Sequence, residues 1–178
     1  MLSVFDGLRD VTTLSVFVRL ACALICGGII GIERSYKRRP AGFRTHILIC
    51  IGAAITTLTS QYLYLNMHYF TDMARLGAQV VAGIGFIGAG TIIVTKRQRV
   101  KGLTTAAGLW TSAIIGLTFG GGFYEGGILA TVFIMLAELV FSRIEYRVLE
   151  NVPEINLYME YEDKHCLDDV LQLYRSCN

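Results

Sequence analysis

Glu33 and Arg34 stand side by side at the end of one apolar run, and Glu138 lies about one turn inside the end of another. Carboxylates and guanidinium groups in an apolar setting either serve ions and protons or neutralise one another structurally. Glu138 therefore either reaches the interface or pairs with an arginine such as Arg34 or Arg44. Asp72 and Arg75 open a third run, with Gln79 one turn below Arg75. One reading makes Asp72 a helix cap and leaves Arg75 solvated. The other turns Arg75 and Gln79 into the bundle as a vestibule. Thr104, Thr105, Thr111 and Ser112 surround Trp110. Threonine hydroxyls commonly bond back to helix carbonyls. The Trp110 indole N–H needs an acceptor, which a neighbouring threonine or Gln79 can supply. Thr56, Thr57, Thr59, Ser60 and Gln61 form a second polar stripe. Arg19 is near enough to the end of its run to snorkel.

Catalysis is not expected. By the topology that the basic loops predict, His46 and His68 lie near opposite membrane faces and His165 is in the tail, so no metal or acid–base cluster forms, and no nucleophile elbow or phosphate-binding loop is present. No metal or cofactor site is expected either. Cys22, Cys26 and Cys50 sit among apolar neighbours and read as small hydrophobes. Gly83, Gly85 and Gly88 fit G-x-G-x-x-G, but no strand–turn–helix unit surrounds them. They read as helix-packing glycines, as do Gly27 and Gly31, and Gly116 and Gly120. The stretch Gly88–Thr91 could instead break the helix and open its carbonyls toward a solute.

The elements that must position these groups are membrane spans. More than half of the 178 residues (53%) are hydrophobic, and five runs approach the roughly 20 residues that cross a bilayer. They are Leu14–Ile32, His46–Leu65, Leu76–Val94, Leu103–Phe119 and Phe123–Phe141. The last two must be separated by a reversal, for which Gly120, Gly121 and Gly122 are suited. Basic residues gather after the first run (Arg34, Lys37, Arg38, Arg39, Arg44) and after the third (Lys96, Arg97, Arg99, Lys101). Such loops stay cytoplasmic. The expected fold is an all-α bundle of five transmembrane helices, amino terminus outside and carboxyl terminus cytoplasmic. The net charge of +2 comes mainly from those loops, which argues for topology and lipid contact and against nucleic-acid binding.

Two domains are expected: a bundle over 1–145 and a cytoplasmic tail over 146–178. In the tail, residues 155–162 alternate as a strand, and Leu167, Val170, Leu171 and Tyr174 recur at helical spacing. One strand and one helix cannot bury a core, so this segment reads as the start of a larger domain. A weak repeat at an offset of 60 aligns Gly42 and Thr45 with Gly102 and Thr105. It would make the first four spans two parallel hairpins.

The segments "GGIIGIERSYKRRPAGFRTHILICIGAA" (27–54), "ARLGAQVVAGIGFIGAGTII" (74–93) and "VKGLTTAAGLWTSAIIGLTFGGG" (100–122) resemble the MgtC/SapB family of bacterial inner-membrane proteins. The likeness covers about 14–140, and the tail resembles the opening of an ACT-like domain. It implies a multi-pass inner-membrane protein linked to magnesium limitation, acid stress and virulence. It implies regulation of another membrane complex, including the membrane sector of F-type ATP synthase, with transport of magnesium or another small solute as the alternative. Self-association is a further expectation from the small-residue faces. By motif, the resemblance carries function to Glu33, Arg34, Gly42, Arg44, Thr45, Asp72, Arg75, Gln79, Gly85, Gly88, Gly90, Gly102, Thr104, Thr105 and Trp110. Met73 departs from the proline that relatives often carry after the aspartate, which weakens the cap at Asp72.

Overall fold

The computed structural model describes residues 3–70, 72–94, 100–149 and 172. The strand and helix expected between 155 and 174, and Lys96, Arg97 and Arg99, lie outside them. The chain divides into two units, Met1–Phe141 and Ser142–Asn178. In the second unit the described helix is α6, Ser142–Leu149.

The first unit is a helical bundle. A short 3₁₀ segment, Ser3–Leu8, precedes α1 (Thr13–Tyr36), α2 (Phe43–Leu65), α3 (Arg75–Ala89), α4 (Leu103–Gly120) and α5 (Tyr124–Leu136). α1 starts at a reciprocal cap: Ser15 N donates to Thr12 Oγ1 at 3.2 Å, and Thr12 N donates to Ser15 Oγ at 2.9 Å. The reversal between α4 and α5 falls at the glycine run, where Gly122 has φ +77°. α5 passes into a π turn, Ala137–Phe141.

Among the described residues, four stretches are long and apolar enough to cross a membrane: Thr13–Tyr36, Phe43–Leu65, Leu103–Gly120 and Tyr124–Ile144. The third expected span is different. α3 has 15 residues, roughly 22 Å of helix against a ~30 Å hydrocarbon core. It was expected to run to Val94, but it ends at Ala89 because Gly90 and Thr91 turn the chain. The Thr91 hydroxyl donates to the Gly88 carbonyl at 2.7 Å. The β-branched residues beyond then pair as a small antiparallel ladder, β1 (Ile93–Val94) with β2 (Val100–Lys101). The bundle is therefore not purely α. Gly102 closes this hairpin at φ +98°, and a Cβ there would collide with the Thr91 carbonyl oxygen.

Close approaches define the helix directions. Positions 27 and 31 of α1 face 46–50 and 42–43 of α2, so these two are antiparallel. Gly108, Gly116 and Gly120 of α4 face His46, Cys50 and Ala54 of α2 in the same order, so α4 runs parallel to α2. α3 lies antiparallel to α4, with Gly77 beside Leu117 and Gly88 beside Ala106. α1, α3 and the π turn after α5 thus end where Lys37, Arg44 and Lys101 cluster, here termed the basic end.

Small side chains line the helix contacts of the core, beside a few large ones. Ala23, Cys50, Ala54, Ala113, Leu109 and Phe119 are fully buried, whereas Leu24, Ile25 and Ile29 of α1 and Leu129, Val132 and Phe133 of α5 face outward. Bulky apolar residues facing outward, with alanine, glycine and cysteine at the helix contacts, is the arrangement expected when lipid is the solvent. Helix association then rests on close packing rather than on the hydrophobic effect.

Candidate functional site

The densest chemistry lies at the basic end. Arg34 Nε donates to Glu33 Oε2 at 2.5 Å, and Arg34 Nη2 pairs with Glu138 Oε2. Lys37 Nζ lies 2.7 Å from Glu33 Oε1 and donates to the Glu138 backbone carbonyl at 2.7 Å. Two cations thus meet two carboxylates, and the charges balance. Arg34 is 1% exposed, so its charge is tolerable only because both carboxylates are present. The partner of Glu138, left open between Arg34 and Arg44 by the sequence, is Arg34; Arg44 is exposed. The π turn carries Glu138, and such turns recur at functional sites because they re-aim a side chain. His46 is fully buried one turn into α2, with its ring Nδ1 2.9 Å from the Gly42 carbonyl oxygen.

The opposite end holds a second network. Arg19, expected to snorkel, is instead wholly buried. Its Nη1 donates to Gln61 Oε1 at 2.7 Å and to the Gly120 carbonyl at 2.8 Å, at the carboxyl end of α4. Its Nη2 donates to the carbonyls of Leu8 (3.3 Å) and Arg9 (2.5 Å). The negative end of the α4 dipole favours this charge. The amino-terminal segment therefore straps the end of the bundle. Phe5 stacks on Tyr124, Tyr124 Oη donates to the Leu8 carbonyl at 3.1 Å, and Arg9 pairs with Glu125 at 2.7 Å. Replacing Arg19 by leucine is expected to loosen the strap. An L8C probe should then react with an impermeant thiol reagent at least about tenfold faster, since hydrogen bonds from a charged group contribute roughly 1.5–3 kcal/mol each.

The remaining predicted residues do not converge. Asp72, Arg75 and Gln79 are exposed, and Asp72 Oδ1 accepts from Ala74 N at 2.9 Å, a local turn contact. Thr104 is exposed, Thr105 is buried, Thr45 is half-buried, and Trp110 is 44% exposed on the outer side of α4. The glycines separate into two kinds. Gly27 and Gly31 pack against the α2 backbone, Gly42 sits beside Ser35 and Gly88 beside Ala106. Gly90 meets only the last turn of α3, and Gly83 and Gly85 have open space where a Cβ would be. Lys37, His46 and the buried position of Arg19 escaped the sequence reading. Lys37 had a legible signal, its i, i+4 spacing from Glu33.

Residues 20–147, which include every charged group of the basic-end cluster, match the model of the MgtC family. This chain belongs to the MgtC family. The MgtC-family chain is 42% identical over 149 residues to the "Putative magnesium transporter YhiD" of Escherichia coli K12, covering 82% of this chain and 69% of the relative. It is 40% identical over 129 residues to an uncharacterised protein of Haemophilus influenzae. It is 37% identical over 131 residues to "Protein MgtC" of Salmonella typhimurium LT2, covering 74% of this chain. Each of the latter two is covered over 54% of its length. No solved structure matches this MgtC-family chain.

Proposed function

We propose that this multi-pass membrane protein regulates another membrane complex by docking onto it during magnesium limitation or acid stress. The observation that carries this reading is the position of the polar residues. A solute path would draw Gln79, Thr104 and Trp110 inward, yet all three lie on the outer side of α3 and α4. The middle of the bundle is filled by Ala54, Ile115 and Phe119, each at most 1% exposed. The outward side of α3 carries Ala78, Gln79, Ala82, Gly83 and Gly85 over most of its length, with the bulky Phe86 and Ile87 confined to its last turn, whereas the outward side of α5 is bulky throughout. Small residues and an amide are what a membrane helix presents to another helix. In this reading the basic end faces the cytosol. The partner implied by the family resemblance is the membrane sector of F-type ATP synthase.

Transport is the second reading, favoured by the name of the Escherichia coli relative, a putative magnesium transporter. Reconstituted liposomes under a magnesium gradient separate the two. The regulatory reading expects no flux above that of empty liposomes, and loss of the low-magnesium phenotype in cells carrying the folded variant Gly83→Leu. Protein-dependent flux abolished by Arg75→Ala or Gln79→Ala in folded protein would overturn it.

A further inference from the structure

Glu33 Oε1 is met by the Lys37 ammonium at 2.7 Å, which leaves two buried polar atoms at the basic end with neither a hydrogen bond nor an ion pair among the described residues: Arg34 Nη1 and His46 Nε2. Arg34 is 1% exposed and His46 is 0% exposed. An unmet donor or acceptor at such depth costs about 1–3 kcal/mol, more when charged. Two at one end of a bundle call for a shared explanation.

Their chemistry is complementary. The Gly42 carbonyl oxygen, 2.9 Å from His46 Nδ1, can only accept, so that ring nitrogen carries the proton. With the imidazole neutral, Nε2 is left as an acceptor. Arg34 Nη1 is only a donor. A molecule that accepts from a guanidinium and donates to an imidazole nitrogen satisfies both.

The two side chains also converge. A Cβ on Gly31 would lie 3.2 Å from the Gly42 carbonyl oxygen, the same oxygen that His46 Nδ1 meets at 2.9 Å. Arg34 is three residues on, on the same face of α1, and helical side chains lean toward the amino end of their helix. For Arg34 that direction is toward Gly31. Arg34, Glu138 and Glu33 are the charged groups that act electrostatically on the His46 ring. α4 leaves room: the nearest atom to a Cβ on Gly108 would be His46 Nε2, at 3.7 Å. Lys37 and Glu138 are partly exposed, with side chains 25% and 15% accessible, and stand at the outer edge of the cluster.

We propose that the basic end of the bundle holds one ordered, exchangeable water molecule that accepts from Arg34 Nη1 and donates to His46 Nε2. Water is the smallest species with the required donor and acceptor, and buried waters typically bridge such groups. A bound anion fits worse, because it needs donors on both sides and meets the Glu33 and Glu138 carboxylates. The inference is independent of whether the protein docks or transports.

Nitrogen-15 NMR of the full chain in lipid nanodiscs, with labelled histidine and His46 assigned by His46→Gln, tests it. The expected spectrum shows His46 protonated at Nδ1, unprotonated at Nε2, and joined to water by a cross-peak at Nε2. Gly108→Ala, whose methyl enters the space beside Nε2, should abolish that cross-peak, and Gly83→Ala should keep it. Should Gly108→Ala fail to fold, the wild-type spectrum decides, and titration with chloride or inorganic phosphate should leave the His46 signals unmoved. Absence of the water cross-peak in wild type, its persistence in folded Gly108→Ala, or an anion-induced shift at Nε2 would overturn the proposal.

Discussion

Replacing Arg34 by alanine is expected to destabilise the folded bundle by about 3–5 kcal/mol, because it strips the shared cation from the buried Glu33 and the partly buried Glu138. Glu33 retains Lys37, 2.7 Å away, but Glu138 loses its side-chain partner. Glu138→Ala should cost a similar amount by leaving half of the Arg34 charge unmet. The pair is better judged as a unit. Arg34→Ala combined with Glu138→Ala preserves net charge and removes both desolvation penalties. The double variant should therefore fall short of the summed single losses by about 1–3 kcal/mol. Denaturant titration in mixed micelles, followed by helical circular dichroism, measures all three. Strict additivity would mean that Arg34 and Glu138 do not interact in the folded state.

The second large effect concerns helix packing. Gly116 faces α2 so closely that a Cβ would collide with the Cys50 carbonyl oxygen and lie 2.8 Å from Ala53 Cβ. Backbone cannot yield as a flexible side chain can, so Gly116→Ala should cost about 1–3 kcal/mol. Gly116→Leu should prevent recovery of folded protein, since α2 and α4 would have to separate. Gly83 and Gly85 provide the contrast. Each faces open space, so alanine there should leave stability unchanged or raise it by up to about 1 kcal/mol through better helix propensity. Thermal unfolding of the purified variants checks the ordering.

That contrast also marks where sequence reading reached its limit. Gly83 and Gly116 sit in equally apolar runs, and nothing local distinguishes a glycine at a helix contact from one facing outward. The difference arises only when α4 is laid parallel to α2. The spans themselves were legible because the bilayer demands length and apolarity of each segment separately. α1, α2 and α4 begin and end within four residues of the runs read from composition. α3 was overextended because Ile92, Ile93 and Val94 are as apolar as any helix residue, and hydropathy does not report a turn at Gly90–Thr91. Glu138 could be flagged as costly and given Arg34 as a candidate partner. Arg19 was misplaced for a different reason: its acceptors are backbone carbonyls of Leu8, Arg9 and Gly120, groups that every sequence contains and no motif announces. His46 likewise gained meaning only through its burial beside Gly108.

In the proposed function the middle of this bundle is closed, and the protein acts through its surface rather than as a conduit. Cys50 is 0% exposed at the junction of α1, α2 and α4 and reports on that closure directly. With Cys50 kept as the sole cysteine, the protein in liposomes would be exposed to a small charged methanethiosulfonate reagent from each side in turn. A closed bundle leaves Cys50 unmodified from both sides until the protein is denatured. Modification of Cys50 in the folded protein from either side would contradict the account.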